Sequence, residues 1–297
     1  MIPPFLKRHD KIAIISPSGN IEDKYIYGAV KVLTEWGFEP VVGEFARGQV
    51  GRYSGTIEQR VADLQAAIDD KEIKAILCSR GGYGLVQIID FIDLSDFEIN
   101  PKWIIGFSDI TVLHAATSNL DVVSIHSIMA KDLTELPADC NQVIKLHNLL
   151  IGELPSYTIP THPLNRAGKT HGEVIGGNLS VLYGLRGTHF DMDGYKKILF
   201  IEDLGEEPYH IDRMMYNLKM GGILENINGL IVGQFTNYEE DPLMGKTVYE
   251  IIAAAVEDYE YPVCFNFPVG HVENNVPLLI GAEAKFTVSS DEVVLKY

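Results

Sequence analysis

The first half of the chain repeats one pattern: a short apolar run, a sharp loop, and then a segment with helical spacing. The run at 11–16 (KIAIIS) stops at the loop 17–20 (PSGN) before the first such segment. Alternating strands and helices predict right-handed crossovers and a mostly parallel sheet. Ligands of such sheets bind at the carboxyl ends of the strands, so the loops there are the first places to look for a site. Later apolar runs lie at 75–79, 103–107 and 122–126.

The second half of the chain has a different pattern of strand and helix segments, which predicts a second domain. Strong strand and helix patterns alternate there, and the last two alternating segments, AKFTVSS and EVVLKY, predict a hairpin across Ser290 and Asp291. The segment 152–169 carries three prolines and no regular pattern, so it is predicted to be a linker. The predicted fold class is α/β, with a mostly parallel domain at 1–151 and a smaller mixed α/β domain at 170–297.

Charge and patterning exclude several classes of partner. The formal net charge of −17 repels phosphate backbones and anionic membrane surfaces, so nucleic acid and membrane are not expected as partners. No apolar run approaches the ~18 residues of a membrane helix, and the opening MIPPFLKRHDKIAIISP lacks signal-peptide features. Three dispersed cysteines without CxxC predict reduced thiols. These features predict a cytoplasmic protein. Without HExxH or clustered ligand spacings we expect no metal or other cofactor, and activity that survives EDTA.

Ser108 is the sharpest catalytic candidate. It lies where an apolar strand must turn at once into a helix, in the frame GFSD. Such an elbow exposes the hydroxyl and places the next backbone N–H, that of Asp109, where an oxyanion can be held. The pattern G-x-S-x-G is incomplete because Ile110 replaces its second glycine. On pattern alone, Ser108 is either a nucleophile or the N-cap of its helix.

The loop RGGYG at 80–84 follows a predicted buried strand and opens a helical pattern. Its bare backbone could supply a second oxyanion N–H, from Gly81 or Gly82, or simply form a turn that needs positive φ. The spacing fits neither G-x-G-x-x-G nor a P-loop, so nucleotide binding is weakly supported. Arg80 is the cation nearest the proposed oxyanion site, and it either supports substrate or loop geometry or pairs with a surface acid.

A serine nucleophile needs a base and an acid that orients it. His271 lies in the Gly- and Asn-rich loop GHVENNVPLLIG, with His126 and His210 as alternatives. Glu202 closes the strand KKILFI and is the candidate acid, although an ordinary solvated carboxylate is the simpler reading. Asp203 should point to the opposite side of that strand.

Taken together, five segments make the chain resemble the LD-carboxypeptidase family, serine peptidases also called muramoyltetrapeptide carboxypeptidases, which include the microcin C immunity peptidases. The resemblance spans nearly the whole chain, and the five occur in the expected order. The segments are GFSDIT (106–111), RGGYG (80–84), IGGNLS (175–180), LFIEDLGEEPYHIDRMM (199–215) and PVGHVENNVPLLIG (268–281).

The resemblance implies roles for these residues. Ser108 would be the nucleophile, Glu202 the orienting acid and His271 the general base, with oxyanion N–H groups from Asp109 and from Gly82 or its neighbour Gly81. It implies a Rossmann-like first domain carrying the serine and a second domain carrying its partners. The implied substrate is a small peptide, murein tetrapeptide or its UDP-muramyl form, which loses its terminal D-alanine in cytoplasmic peptidoglycan recycling. The implied assembly is a homodimer.

Two alternatives stay open at this point. One is an immunity-type peptidase that cleaves microcin C-like acyl-adenylates, and the other is a nucleotide-binding module without catalysis. The chain departs from the family where it reads His126-Ser127-Ile128-Met129 and where Leu279 stands in place of a proline. These departures leave the substrate pocket and the choice between diaminopimelate and lysine open.

Overall fold

The structure, a computed structural model, describes all residues 1–297 and divides into two compact units. The first unit comprises Met1–Leu154 and Val276–Leu279, and the second comprises Pro155–Asn275 and Ile280–Tyr297. The mixed α/β class predicted from the alternating pattern is confirmed.

The first unit is built on a six-stranded sheet. The first five strands of the chain pair in parallel in this sheet, as the buried apolar runs predict. In sheet order the strands are β11 (Leu278–Ile280), β5 (Ser124–His126), β4 (Trp103–Gly106), β3 (Ile73–Cys78), β1 (Lys11–Ile15) and β2 (Glu39–Val42). Its helices are α1 (Asp23–Glu35), α2 (Ile57–Asp69), α3 (Ser95–Ile99), α4 (Thr111–Ser118), α5 (Ala130–Glu135) and α6 (Asn141–Leu150).

Register brings the ends of three neighbouring strands to one edge of this sheet. Ile15 at the end of β1 is aligned with Cys78 at the end of β3, and Leu77 is aligned with Ile105 of β4. The loops after β1, β3 and β4 therefore meet at that edge, where ligands of parallel sheets bind. A backbone hydrogen bond from Gly19 N to Gly81 O, 3.2 Å long, joins the first two loops.

The second unit is built on a seven-stranded mixed sheet. In sheet order its strands are β10 (Val263–Cys264), β9 (Gly229–Thr236), β8 (Ile198–Leu204), β7 (Gly168–Asn178), β12 (Glu283–Val288), β13 (Glu292–Lys296) and β6 (Ser156–Pro160). β7 to β10 pair in parallel, whereas β7, β12, β13 and β6 pair antiparallel. The helices are α7 (Leu179–Leu185), α8 (Pro208–Met220), α9 (Ile223–Asn226) and α10 (Val248–Ala255).

The core of this unit lies between the parallel strands and their helices. Apolar side chains of β8 and β9 pack with those of α8 and α10, and the cluster includes Leu199, Val232, Met215 and Ile252. Burying these side chains drives the sheet and helices together. The hairpin predicted across Ser290 and Asp291 is confirmed by the antiparallel pairing of β12 with β13.

Two details of domain organisation differ from the sequence prediction. The segment 152–169, predicted to be a linker, contains the strand β6, and the long strand β7 begins within it at Gly168. β6 is an edge strand with Pro155 before it and Pro160 at its end, positions where a missing N–H costs no ladder bond. The chain also returns to the first unit at Val276–Leu279, because β11 pairs at the edge of the first sheet.

No helix combines the length and apolar character needed to cross a membrane.

Candidate active site

Ser108 occupies a strained elbow directly after β4. Its φ of 66° lies in the left-handed region, which a residue other than glycine adopts at a cost in free energy and which is often found at functional sites. The residues Ser108–Ile110 form a 3-10 turn that leads into α4. α4 has Ile110 as its N-cap, and the turn has Phe107, so Ser108 does not cap its helix. The capping alternative is therefore wrong, and the serine side chain is available for another role.

The departure at Ile110 explains why Gly106 is needed. A Cβ on Gly106 would lie only 2.8 Å from Cγ1 of Ile110, which packs back over the end of β4. Ile110 is fully buried at the position where the complete pattern has its second glycine. The elbow thus forms without the complete G-x-S-x-G pattern.

Gly81 lies against the Ser108 side chain. A Cβ built on Gly81 would be 2.8 Å from Cβ and 3.0 Å from Oγ of Ser108. Gly82 follows with a φ of 114°, a conformation that L side chains rarely adopt. The glycines of the loop after β3 therefore let its backbone approach the serine closely, as an oxyanion hole requires.

The Asp109 side chain fastens the neighbouring loops to the elbow. Its Oδ2 accepts hydrogen bonds from Ser18 Oγ at 2.5 Å and from Leu85 N at 2.9 Å. Burial raises the pKa of this carboxyl group, while the Ser18 and backbone donors and the Arg60 charge oppose that rise. The side chain is committed to structure, so only the backbone N–H of Asp109 is a candidate for oxyanion binding.

Arg60, which no sequence pattern singled out, has a buried guanidinium that contacts the same loops. Nη1 donates to the carbonyl oxygens of Pro17 at 3.1 Å and Gly84 at 2.8 Å, and Nη2 donates to Gln87 Oε1 at 2.9 Å. Only 2% of Arg60 is exposed, and burial lowers its pKa. The residue ties the loops after β1 and β3 together. Its place on α2, four residues after the helix N-cap at Thr56, carried no sequence signal for this role.

The second unit holds a carboxylate–imidazole pair. Nδ1 of His271 lies 2.8 Å from Oε2 of Glu202, which is fully buried on β8. Gly270 has a φ of 123°, and a Cβ there would lie 2.9 Å from the same oxygen. Glycine before the histidine therefore lets the loop reach the buried acid. The simpler reading of Glu202 as a solvated surface charge is wrong.

Asp203 serves a different network, as the alternation along β8 predicts. Its carboxylate accepts hydrogen bonds from Asn178 Nδ2 at 2.9 Å and from Ser180 N at 2.7 Å, at the start of α7. Burial and the neighbouring Glu202 charge raise the pKa of Asp203 to about 7, against the pull of these donors. These bonds join Asp203 of β8 to the end of β7, and none of them involves the His271 imidazole.

The two alternative histidines, His210 and His126, have other neighbours. His210 Nδ1 pairs with Glu206 Oε2 at 3.2 Å at the start of α8. His126 is buried at the end of β5, with its ring 5.8 Å from that of Phe107. His271 pairs with a fully buried carboxylate, that of Glu202.

The structure thus brings the predicted residues together in two groups. The first unit gathers Ser108, Asp109, Gly81 and Gly82 at one sheet edge, and Arg80 borders them with Nη1 donating to Asn20 O at 3.2 Å. The second unit joins Glu202 to His271. No group of three or more His, Cys, Asp or Glu side chains is arranged to hold a metal ion.

Comparison with known protein families shows which family the chain belongs to. The model of the LD-carboxypeptidase N-terminal domain matches residues 12–127, and that of the C-terminal domain matches residues 171–286. The chain belongs to the LD-carboxypeptidase family. The resemblance carried by the five sequence segments is thereby confirmed, and the chain is a serine-type carboxypeptidase, a hydrolase.

Several relatives match along most of their length. The chain is 35% identical over 305 residues to the probable murein peptide carboxypeptidase of Bacillus subtilis (strain 168), covering 99% of this chain and 94% of the relative. It is 28% identical over 280 residues to the murein tetrapeptide carboxypeptidase of Pseudomonas aeruginosa, covering 89% of each.

Solved structures show the same fold. The muramoyltetrapeptide carboxypeptidase from Oxalobacter formigenes superimposes with a TM-score of 0.87 at 26% identity, covering 96% of this chain and 97% of that one. The microcin C7 self-immunity protein MccF has a TM-score of 0.87 at 21% identity, with 100% of this chain and 98% of that one covered. At that identity, the second likeness concerns the fold alone.

Proposed function

We propose that this LD-carboxypeptidase releases the terminal D-alanine from a murein tetrapeptide by way of an acyl-enzyme. The bond cleaved is the amide between the third-position diamino acid, diaminopimelate or lysine, and D-alanine. The observation that carries the proposal is the His271–Glu202 hydrogen bond, because a buried acid holding an imidazole by Nδ1 is the arrangement of a general base. Relatives named for murein peptides support the substrate class.

In this mechanism Ser108 is the nucleophile and His271 the base that serves it. The hydroxyl oxygen forms a bond to the amide carbonyl carbon as His271 Nε2 takes its proton. The same proton then goes to the D-alanine nitrogen as the carbon–nitrogen bond breaks. Water then attacks the ester carbonyl carbon as His271 Nε2 takes a proton from it. His271 passes that water-derived proton to Ser108 Oγ as the ester bond breaks, which releases the tripeptide acid and restores the serine hydroxyl. Glu202 holds the tautomer throughout and stabilises the imidazolium.

Charge that develops on the carbonyl oxygen needs fixed donors. We assign these to the backbone N–H of Asp109 and of Gly82 or its neighbour Gly81. The support is the close approach of Gly81 to Ser108 and the anchoring of Asp109 by its side chain. Donors held this way require no reorganisation when the tetrahedral intermediate forms. Arg80, beside this loop, is assigned to the substrate.

The proposal extends to the setting of the reaction. The sequence resemblance supports cytoplasmic peptidoglycan recycling, with free or UDP-muramyl tetrapeptide as substrate and a homodimer as the assembly. Light scattering of the purified chain tests the dimer directly. A monomeric mass would contradict the homodimer and would leave the proposed chemistry unchanged.

The experiment that tests the function is incubation of the purified chain with murein tetrapeptide, followed by mass spectrometry for tripeptide and D-alanine. An acyl-adenylate in a parallel reaction tests the immunity-type alternative. The 24% identity to the Escherichia coli self-immunity protein supports testing it. Cleavage of the tetrapeptide is expected. Turnover of the adenylate alone would favour the alternative. A nucleotide-binding module without catalysis is disfavoured by the family assignment.

A further inference from the structure

The first unit contains a polar cleft beside the glycine loop. Its volume is about 360 Å³, and it lies where the loop after β1 meets the loop after β3. Two arginines, Arg52 and Arg80, contribute to its wall from different parts of the chain. The residues that line it are Gly19, Asn20, Arg52, Arg80, Gly82 and Tyr83.

Neither arginine of the cleft forms a salt bridge with an acidic residue. Arg80 Nη1 donates to the carbonyl oxygen of Asn20, a neutral acceptor, at 3.2 Å. Both side chains are exposed. In a chain with 41 acidic and 24 basic residues, two arginines that line one cleft without a carboxylate partner leave a local positive charge. Such a pair of arginines suits a carboxylate, which can accept two parallel N–H bonds from each guanidinium.

The cleft adjoins the nucleophile within the same unit. Gly82 lines it, and the preceding residue, Gly81, lies against Ser108. On the opposite wall, a Cβ on Gly19 would lie 3.0 Å from Gly81 O and 3.4 Å from Arg80 Nε. The Arg80 guanidinium therefore borders the loop backbone that faces the serine hydroxyl, and Arg52 lines the same cleft.

We propose that Arg52 and Arg80 together bind the terminal α-carboxylate of the substrate. The inference rests on the proposed function, and it names the group that these arginines recognise. In any peptide the C-terminal carboxylate carbon is three bonds from the carbonyl carbon of the last amide, so a nucleophile that attacks that carbon has the carboxylate close by. Binding it selects chains that end one residue after the scissile bond, which is the selectivity of a carboxypeptidase.

The test compares two substrates with four proteins. The substrates are murein tetrapeptide with a free C-terminus and the same peptide with a C-terminal amide. The proteins are the wild type, Arg52→Gln, Arg80→Gln and, as a matched control, Arg213→Gln, which removes an exposed arginine on α8. We expect KM for the free acid to rise about tenfold in each cleft variant, with kcat changed less and the control unchanged.

The substrate with a C-terminal amide shows which carboxylate the two arginines bind. The wild type should process it at least about tenfold less efficiently in kcat/KM, and that penalty should shrink in both cleft variants, because the group they recognise is already absent. An undiminished penalty would overturn the proposal even if KM rose, since the arginines would then serve another acidic group, such as the side-chain carboxylate of diaminopimelate. Arg80→Lys keeps the positive charge but loses the paired N–H donors. Its KM for the free acid should therefore lie between that of Arg80→Gln and that of the wild type.

Failure here is distinguishable from failure of the proposed function. If the wild type releases D-alanine and both cleft variants keep wild-type KM and kcat, the carboxylate assignment is wrong and the peptidase assignment stands. If the wild type releases no D-alanine from the free acid, the proposed function itself is wrong. Circular dichroism of each variant confirms that the comparison is made between folded proteins.

Discussion

Nδ1 of His271 lies 2.8 Å from Oε2 of Glu202, and the glutamate is wholly buried. A buried carboxylate in this position favours the tautomer with the proton on Nδ1, which leaves Nε2 with a lone pair. The imidazole can then accept a proton from a hydroxyl. The two residues are 69 positions apart in the chain, and the fold of the second unit alone joins them.

Glu202→Gln should therefore abolish most activity while the protein stays folded. An amide that presents its NH₂ to Nδ1 favours the wrong tautomer, so we expect kcat to fall by about three to four orders of magnitude. Steady-state kinetics of D-alanine release measure the effect.

The matched control is Glu206→Gln, which alters the other Glu–His pair of the same unit, Glu206 with His210. It should change kcat less than about threefold, because that pair is partly exposed and is assigned no part in the chemistry. Equal losses in the two variants would mean that the Glu202–His271 pair has no special role.

Gly81→Ala should impair catalysis by direct contact with the nucleophile. The added Cβ would meet Ser108 at 2.8 Å from its Cβ and 3.0 Å from its Oγ, so the serine or the loop must move. A displacement of this size typically costs about 10²-fold in rate. The measurement is kcat/KM for the tetrapeptide, together with the melting temperature.

Gly184→Ala provides the control for that substitution. Gly184 lies in α7, and a Cβ there would have no neighbour within 4 Å. It should leave activity intact and raise stability by up to about 1 kcal/mol through helix propensity. If Gly81→Ala retained full activity, the placement of that glycine against the nucleophile would be wrong.

His114 should make stability depend on pH in the acidic range. The ring is buried between Ser124 Oγ and Gly106 O, each at 2.8 Å, and burial lowers its pKa to about 4 from 6.5. The unfolded chain takes up a proton below pH 6.5, whereas the folded protein does not. The free energy of unfolding should therefore fall as pH drops from 6.5 towards 4, by about 3 kcal/mol in all.

The variant His114→Gln isolates this contribution. Urea unfolding at pH 7 and pH 5 gives the stability difference between variant and wild type at each pH. That difference should shift in favour of the variant by about 2 kcal/mol at pH 5, because glutamine does not titrate. A difference that is the same at both pH values would contradict the lowered pKa.

Local sequence signals predicted much of the first unit. The apolar run before Ser108 and the frame GFSD marked the elbow, which the structure has directly after β4. The pattern LVQIIDFI predicted a helix, but the structure has two 3-10 turns at Leu85–Gln87 and Ile89–Phe91. Apolar spacing alone does not distinguish a helix from short turns packed on a core.

Features that depend on distant partners could not be predicted in the same way. β6 was interpreted as a linker because its pairing with β13 joins residues more than a hundred positions apart. The burial of Arg60 beneath two loops, and the meeting of Arg52 with Arg80 in one cleft, likewise arise from tertiary packing. The roles of Glu202 and His271 were implied by family resemblance, and spacing alone left His126 and His210 open.

The most direct test of the central claim is D-alanine release by Ser108→Ala. The substitution removes the hydroxyl from an elbow that alanine can occupy at a similar backbone cost, so the variant should keep the wild-type circular dichroism spectrum and melting temperature. We predict that the wild type converts murein tetrapeptide to tripeptide with one D-alanine released per peptide, and that kcat of the variant falls by at least about 10³-fold. Release of D-alanine by the folded variant at close to the wild-type rate would contradict the assignment of Ser108 as the nucleophile.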